Sequence, residues 1–350
     1  MSHSSARFLT ASAVLLSAAM ALTDASACSR ITFVDEENTV VTGRTMDWSV
    51  DDDVVLRLMP RGVERQSTAK ESPASWRSRY GSVIAISFGT SLNSGMNEKG
   101  LVVDTLWLGV TNYGERRDDQ KSVVGNEFPL YVLDNFASVE EVVAALEGGK
   151  VHIQEDKVPG TDKALKIHFI LTDKTGDNAI VEFVDGKMTV YRQKGRVAMT
   201  NDPTYEKMKE IETQFRKKGL LMNMPGSPLA ADRYLRAVAW SDQVAADAKD
   251  DVNKTPVDAK VLSIMRAVST PLGVSNKVSP ENCSTLWRAM ADPVHGLFWI
   301  DSAFNYGVFR VDFSKLDFGG EEKILPVRRL PLEAAGDASE RFEKVEPLKF

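Results

Sequence analysis

Cys28 combines a reactive side chain with a position that favours its exposure as an N-terminal residue. It follows the small residues Ala25-Ser26-Ala27, which end a segment made of a short polar start with Arg7 and an apolar run over residues 8–23. A weakly positive start, an apolar centre and an A-x-A site are typical of a secretory signal peptide. The run is also shorter than the roughly 18–20 residues of a membrane-spanning helix. We therefore predict that residues 1–27 are removed and that the mature chain begins at Cys28.

An N-terminal cysteine carries a thiol nucleophile and an α-amine in one residue. The ordinary pKa values are about 8.5 for the thiol and about 7.7–8.0 for the amine, so the amine can accept the thiol proton without a histidine. Such a residue can hydrolyse an amide through a thioester acyl-enzyme. It needs a carboxylate or carbonyl that orients the amine, a cation near the thiolate and a donor for the oxyanion.

The segment that follows Cys28 can supply the cation and the carboxylate. C-S-R-I-T-F-V alternates as a strand, residues 35–38 form a turn, and T-V-V-T-G-R-T-M-D-W returns as the paired strand. A hairpin of this length brings Arg44 towards the thiol and Asp47 towards the amine. From the spacing alone, two surface charges at the end of a strand are the default interpretation.

Lipoprotein processing is a second interpretation of a cysteine at this position. It would acylate the thiol and the amine and leave a lipid-anchored binding protein. The usual lipoprotein signal has a branched apolar residue, most often Leu, three places before the cysteine, and this sequence has Ala25 there. We therefore favour an ordinary signal peptidase and a periplasmic or secreted protein without a membrane contact after the signal is removed.

The composition excludes several other classes of function. The chain has 43 Lys+Arg against 49 Asp+Glu, a formal net charge of −6, and no basic stripe, so nucleic acid is not an expected partner. Two cysteines and four histidines are too few for a disulfide scaffold or a multi-cysteine zinc cluster. The expected chemistry needs no metal and no organic cofactor, and the expected partner is a small-molecule amide.

Four motifs in chain order resemble those of the choloylglycine hydrolase family. They are C-S-R-I-T-F from Cys28, G-R-T-M-D-W at 43–48, G-M-N-E-K-G-L at 95–101 and T-N-D-P at 200–203. The family comprises conjugated bile salt hydrolases and penicillin V acylases, which are N-terminal-nucleophile amidases. The resemblance covers most of residues 28–315. It implies a four-layer αββα sandwich of the N-terminal-nucleophile hydrolase type, often assembled as a homotetramer.

The resemblance also implies a role for each residue of the hairpin that could do chemistry. Cys28 would be both nucleophile and base. Arg44 would contact its sulfur, and Asp47 would hold the free amine.

Three further residues would complete the site by the same resemblance. Asn97 and Asn201 would form or support the oxyanion hole, although asparagine is also a common turn residue. The last catalytic arginine would be Arg233 in D-R-Y, with Arg236 one turn later as the alternative. Both remain open because the sequence departs from the family's common S-R-F form.

Residue patterns independently predict an α+β sandwich that forms a single domain over residues 28–350. Predicted strands cover 83–88, 101–108, 167–172, 179–184, 188–191, a segment ending at 199–201, and a group within 284–313. Predicted helices begin after the capping box Ser138–Glu141 and near Pro203, and cover 229–243 and 256–268. A turn at 95–100 would hold Asn97. The charged tail from about residue 320 is expected to wrap the surface.

Trp48, Trp107 and Met46 are predicted to contact the substrate. In exported acylases that resemble this chain, tryptophans at such positions flank an aromatic or acyl group; core packing is the alternative for these residues and for Leu108. Two tryptophans suit a compact aryl or acyl group better than a broad steroid face. We therefore expect an exported amidase that acts on penicillin V or an N-acyl homoserine lactone, with a conjugated bile salt as the alternative.

One pair of motifs points to a different class of enzyme. S-x-x-K at Ser67–Lys70 and K-T-G at Lys174 match motifs of serine β-lactamases. No S-D-N lies between them, and Ser67 lies in a polar stretch instead of opening an apolar helix. We interpret both matches as accidental.

The remaining cysteine and the histidines are interpreted as structural. Cys283, in N-C-S-T-L-W, is predicted to be a buried strand thiol. His152 and His168 lie in strand-like segments, where ordinary packing is expected.

Overall fold

The structure is a computed structural model that describes residues 28–252, 254–274 and 283–348. The predicted signal peptide, residues 1–27, lies outside the described residues. Within them the strands are, in chain order, β1 Ser29–Val34, β2 Val40–Trp48, β3 Val55–Met59, β4 Glu64–Gln66, β5 Ser75–Arg77, β6 Ser82–Ser87, β7 Ser91–Asn97, β8 Val102–Trp107, β9 Lys121–Val124, β10 Val151–Gln154, β11 Asp156–Lys157, β12 Ala164–Leu165, β13 Ile167–Thr172, β14 Asp177–Val184, β15 Lys187–Lys194, β16 Val197–Thr200, β17 Ser284–Asp292, β18 Leu297–Ser302, β19 Val308–Asp312, β20 Lys323–Leu325, β21 Gly336–Asp337 and β22 Glu343–Lys344. The α-helices are α1 Phe128–Asn135, α2 Val139–Glu147, α3 Tyr205–Lys217, α4 Ala230–Ala246 and α5 Val257–Ala267.

Two large sheets contain most of the strands. Sheet A has the order β16-β1-β2-β17-β18-β19-β21, and sheet B has the order β15-β14-β13-β8-β7-β6-β3-β20-β22. The strands of the first hairpin, β1 and β2, are therefore central in sheet A. They pair in the predicted antiparallel register, with Arg30 opposite Arg44 and Ser29 opposite Thr45.

Helices cover the outer face of each sheet. On sheet B, Phe128 and Leu133 of α1 pack in one cluster with buried residues of the strands. On sheet A, α5 lies so close to β2 that a Cβ on Gly43 would be 2.6 Å from the Met265 Cγ. The inner faces of the sheets meet at buried contacts such as the ion pair of Arg30 with Asp104. The predicted four-layer αββα sandwich is thus confirmed.

Most predicted elements are present with small differences at their ends. The meander corresponds to β13, β14 and β15, and α2 begins after Ser138, whose side chain accepts a hydrogen bond from the Glu141 N–H at 3.3 Å. The predicted turn at 95–100 is shorter than expected, because β7 continues its ladder to Asn97, opposite Ser82 of β6.

The C-terminal tail is more ordered than the sequence suggested. β20 and β22 extend one edge of sheet B, and β21 pairs with β19 at the edge of sheet A. The tail therefore covers exposed edges of both sheets, which would otherwise present unpaired backbone groups. In the part of the chain that the structure describes, no helix is long and apolar enough to cross a membrane.

Candidate active site

The alternation of side chains along β1 and β2 divides the candidate site between two faces of sheet A. Gly43 faces α5 on the outer side. Because successive side chains of a strand point to opposite faces, Arg44 and Met46 point inward towards sheet B, and Asp47 points to the helix side. Cys28, which directly precedes β1, joins the inward set.

The inward face brings a guanidinium against the thiol. Cys28 is only 2% exposed, and the Arg44 Nη2 lies 3.4 Å from its Sγ. The same nitrogen donates to the Thr105 carbonyl of β8 at 3.1 Å. Arg44 therefore connects the thiol to sheet B, as the predicted cation beside a thiolate.

The helix side brings Arg233 of α4 against the backbone of Cys28. Its Nη1 donates to the Cys28 carbonyl at 2.6 Å and to the Ser29 Oγ at 2.5 Å, and the side chain is fully buried. Arg236 instead donates to the carbonyls of Pro225 and Ser227. The two arginines therefore differ in position, since Arg233 reaches the cluster and Arg236 holds the loop before α4.

Asp47 and the Cys28 carbonyl both lie close to the Arg233 guanidinium. Its Oδ1 accepts a hydrogen bond from the Thr285 hydroxyl at 2.6 Å, and its Oδ2 lies 3.7 Å from the Arg233 Nη1. That Oδ2 is buried and has no hydrogen-bond partner among the described residues. Burial raises the pKa of the Asp47 carboxyl, while Arg233 and the Thr285 hydroxyl oppose this shift. A cation at Oδ2 would lower the pKa again and satisfy the oxygen.

Asn201 reaches the cluster from the end of β16. Its Oδ1 accepts a hydrogen bond from the Arg233 Nη2 at 3.3 Å, and its Nδ2 donates to the Trp107 carbonyl at 3.0 Å. The guanidinium can only donate, so this contact fixes the orientation of the Asn201 amide. The N–H groups of Asn201 are thereby directed towards the end of β8.

The end of β8 carries a second donor that the sequence did not indicate. The Leu108 N–H donates to the Lys166 carbonyl, so the peptide groups of Trp107, one residue earlier, point away from β13. The side of β8 that faces away from β13 is the side of β7. The last residue of β8 that pairs with β7 is Asp104, opposite Ser94, so Trp107 lies beyond this pairing. The Trp107 N–H therefore points towards the side where Arg44 binds the Thr105 carbonyl.

The expected contribution of Asn97 to this cluster is not supported by its position. Its Nδ2 donates to the carbonyls of Leu133 and Phe136, and its Oδ1 accepts from the N–H groups of Lys99 and Leu101. The side chain thus joins the end of α1 to the β7–β8 turn. The contacts of Asn97 are those of a turn residue, and we leave it out of the proposed site.

A largely apolar cavity of about 410 Å³ opens over the thiol. It is lined by Cys28, Arg44, Met46, Trp48, Phe88, Ser91, Asn93, Thr105, Leu106, Trp107, Val158, Pro159, Leu165 and Ile167. All three predicted substrate contacts, Met46, Trp48 and Trp107, are in this wall. Trp48 and Phe88 meet edge to face with ring centroids 6.2 Å apart. Leu108, by contrast, is a buried core residue outside the lining.

Two carboxylates, the partly buried Asp202 and the buried Glu182, hold the segment that carries Asn201. Both Asp202 carboxylate oxygens accept from the Gly109 N–H at 3.0 Å. The Glu182 Oε1 accepts from the Tyr205 N–H at 2.9 Å and lies 3.0 Å from the His168 Nδ1. Asp202 stood within the T-N-D-P motif, but the sequence contained no signal for Glu182. The packing assigned to His168 is correct, in the form of this buried pair.

The serine motif is explained by local structure. The Ser67 Oγ donates to the Glu127 Oε2 at 2.5 Å and accepts from the Val124 N–H at 3.1 Å, so it supports the start of α1. Lys70 is exposed. Cys283 is buried beside the start of β17, as predicted. Among the described residues, no group of three or more His, Cys, Asp or Glu side chains is arranged to hold a metal ion.

The layered fold, with Cys28 at the start of a central strand, defines a sandwich of the N-terminal-nucleophile hydrolase type. The model of the family of linear amide C–N hydrolases, the choloylglycine hydrolase family, matches residues 28–325. The chain therefore belongs to this family and is a hydrolase of linear amide C–N bonds.

Particular relatives agree with this membership. The chain is 32% identical to a penicillin V acylase of Pectobacterium atrosepticum over 349 residues, which covers 93% of this chain and 92% of the relative. It is 24% identical over 323 residues to a bile salt hydrolase/transferase of Clostridium perfringens, with 84% and 95% covered. The solved penicillin V acylase of Agrobacterium tumefaciens superposes with a TM-score of 0.81 and 34% identity, over 92% of this chain and 99% of that structure.

Proposed function

We propose that this protein is an exported cysteine amidase of the N-terminal-nucleophile type that hydrolyses penicillin V or an N-acyl homoserine lactone. The observation that carries the proposal is the 3.4 Å contact of the Arg44 guanidinium with the Cys28 Sγ at the base of an apolar cavity. The similarity to a penicillin V acylase over 93% of this chain supports penicillin V as a substrate.

The proposed reaction begins with a proton transfer within Cys28. After residues 1–27 are removed, the α-amine takes the thiol proton, and the Asp47 Oδ2 orients the resulting ammonium. The thiolate, beside Arg44, attacks the amide carbonyl and forms a carbon–sulfur bond. The Asn201 Nδ2 and the Trp107 N–H donate to the oxyanion, where preorganised donors have their largest effect.

The second half of the reaction restores the free cysteine. The ammonium gives its proton to the leaving nitrogen, the carbon–nitrogen bond breaks, and a thioester remains on Cys28. Water then loses a proton to the amine and attacks the thioester. The acid leaves, and the thiolate recovers the proton. No step requires an oxidant, a reductant or a cofactor.

The acyl part of the substrate would occupy the apolar cavity. Met46, Trp48 and Trp107 offer flat and flexible apolar surfaces on which an aryl or alkyl group can pack. The mostly apolar lining, with its two tryptophans and Phe88, favours a compact aryl or alkyl acyl group. By similarity to its family we also propose a homotetramer, which light scattering of the purified protein can measure.

The first test is the intact mass of the secreted protein together with a substrate panel. We expect a mature chain that begins with unmodified Cys28 and cleaves phenoxymethylpenicillin or an acyl homoserine lactone. Cleavage of glycocholate alone would overturn the choice of substrate in favour of the bile salt alternative. A diacylglyceryl group on Cys28 would overturn the amidase mechanism and favour the lipid-anchored binding protein.

The second test uses the two cysteines as a matched pair. Cys28→Ala should lower kcat by at least about 1000-fold, because the nucleophile is lost. Cys283→Ser, a change at another buried cysteine, should retain activity. Retained activity in Cys28→Ala together with loss in Ser67→Ala would instead support the serine hydrolase.

A further inference from the structure

Trp287 lies directly against the guanidinium that contacts the thiol. It is fully buried on β17, opposite Met46 of β2. The Arg44 Cζ is 4.8 Å from the centroid of its ring, and the Arg44 Nε and Nη1 have no hydrogen-bond partner among the described residues. The indole face is therefore a principal stabilising contact of this cation, and such contacts are strongest when water is excluded.

The indole is in turn held by Asp52. The Trp287 Nε1 donates to the Asp52 Oδ2 at 2.6 Å, and the Ser87 hydroxyl donates to the same oxygen. Asp52 is 1% exposed, and burial raises the pKa of its carboxyl. The hydrogen bonds from Ser87 and Trp287 and the charge of Arg44 oppose this shift and favour the carboxylate. A carboxylate acceptor polarises the indole N–H and increases the electron density of the ring, which strengthens its attraction for a cation.

The same aspartate is linked to the cavity wall. Its carbonyl accepts a hydrogen bond from the Phe88 N–H at 2.7 Å, and Phe88 lines the cavity beside Trp48. Phe88 has a φ of +53°, a left-handed conformation that a bulky residue adopts only when its surroundings impose it. Asp52 therefore links Phe88 of the cavity wall to Trp287, whose ring lies against Arg44.

We propose that Trp287, held by Asp52, is a positioning residue that keeps the Arg44 guanidinium against the Cys28 thiol and so favours the thiolate. The proposal rests on the proposed function, because it gives Arg44 its role through Cys28. A chain of contacts, from Asp52 to Trp287 to Arg44 to the Cys28 Sγ, carries it. Neither Trp287 nor Asp52 touches the reacting atoms.

The test measures the reactivity of the thiol instead of amide hydrolysis. In a Cys283→Ser background, Cys28 is the only cysteine of the mature chain, and its rate of alkylation by iodoacetamide is followed against pH. Trp287→Leu removes the ring face and should move the alkylation midpoint up by about one pH unit, a loss of about tenfold in rate below the midpoint. Trp287→Phe keeps a ring but loses the N–H, and it should lose about threefold.

Asp52→Asn keeps the packing and tests the charge behind the indole. We expect a loss of about threefold in alkylation rate, with a matching fall in kcat and little change in KM. Trp299→Phe changes another buried tryptophan of sheet A and should leave the alkylation profile unchanged. If Trp299→Phe lowered the alkylation rate as much as Trp287→Phe does, the proposal would be overturned, because the loss would then come from general packing.

A double-mutant cycle tests the route through Arg44. In an Arg44→Leu background, Trp287→Leu should have no further effect on the alkylation profile. An undiminished effect there, or an unchanged profile in Trp287→Leu alone, would overturn the proposal. Failure of the proposed function is separate, since it would appear as a wild-type protein that hydrolyses none of the tested amides.

Discussion

Arg30 and Arg44 stand opposite each other on β1 and β2 and are equally buried, yet their surroundings differ. The Arg30 Nε donates to the Asp104 Oδ2 at 2.9 Å, and its Nη atoms donate to the hydroxyls of Thr32 and Thr172. Arg44 donates to one carbonyl and contacts two sulfur atoms and the face of an indole. Its Nε and Nη1 have no hydrogen-bond partner among the described residues.

We interpret the difference as one between a structural cation and a cation that serves the proposed mechanism. A guanidinium saturated by oxygen acceptors and a carboxylate is neutralised locally, and at Arg30 it joins the two sheets. Among the described residues no carboxylate is hydrogen-bonded to Arg44, so its positive charge remains available to the neighbouring thiol. Burial of an incompletely paired cation costs folding free energy, and such costs concentrate at functional sites.

The largest effect is expected from removing the structural cation. Arg30→Leu leaves the Asp104 charge buried without its partner, so the free energy of unfolding should fall by about 3–5 kcal/mol in chemical denaturation. In the double variant with Asp104→Leu most of this loss should be recovered, because both charges are gone. A loss below about 1 kcal/mol in the single variant would show that the pair does not join the sheets.

Removing Arg44 should lower the activity and leave the stability nearly unchanged. Arg44→Leu is expected to lower kcat/KM by about 100- to 1000-fold, as for the loss of a preorganised electrostatic contact. The free energy of unfolding should change by less than about 1 kcal/mol, because Arg44 is not saturated by hydrogen bonds in the folded state. A large loss of stability with normal activity would make Arg44 a second structural cation.

The two asparagines offer a matched pair with a smaller effect. Asn201→Ala should lower kcat by about 100-fold, since it removes a proposed oxyanion donor. Asn97→Ala should leave kcat nearly unchanged and lower the free energy of unfolding by about 1–3 kcal/mol, because it leaves buried carbonyls of the α1 end without donors. Steady-state kinetics and denaturation of both variants check this assignment. The reverse pattern would restore Asn97 to the site.

The smallest effect concerns a third buried arginine, Arg65, whose partner is titratable. Burial raises the pKa of Asp134 to about 6, although Arg65 and the Trp76 indole N–H oppose the shift. Because the folded protein then binds this proton more tightly than the unfolded chain, stability is highest below the unfolded pKa and falls as pH rises through about 6. From pH 5 to pH 7 the Asp134 contribution to the free energy of unfolding should fall by about 1 kcal/mol.

Denaturation of the wild type and of Asp134→Asn across this range measures that contribution as a difference in slope. The variant should show a weaker decline with pH. Equal slopes would mean that Asp134 is already ionised at pH 5 in the folded protein.

The local elements of the fold were predictable because short-range patterns determine them. Alternation identified the hairpin, and Ser138 with Glu141 identified the start of α2. The short tail strands were missed, because pairs of two or three residues at a sheet edge depend on the strand they join. The same holds for β7, whose length follows from its ladder with β6.

The candidate site likewise combines residues that are near Cys28 in the sequence with residues that are far from it. The predicted hairpin brought Arg44 and Asp47 back towards Cys28 over a short loop, but only the family resemblance assigned them to the site. Asn97 and Asn201 are chemically identical and both lie at the ends of strands, so the residue types could not tell them apart. Trp287 and Thr105 carried no signal beyond an ordinary buried strand.

The sequence by itself predicted a cysteine behind a cleavable leader, and it indicated the strand pairing around Cys28 and the membership of an amidase family. Only the tertiary structure decided which asparagine and which of the two α4 arginines join the cluster around Cys28, and why one of two opposed guanidiniums remains incompletely paired. The reason is physical: side-chain periodicity and turn chemistry act over a few residues, whereas the surroundings of a buried charge depend on two sheets and a helix that meet only when the layers pack.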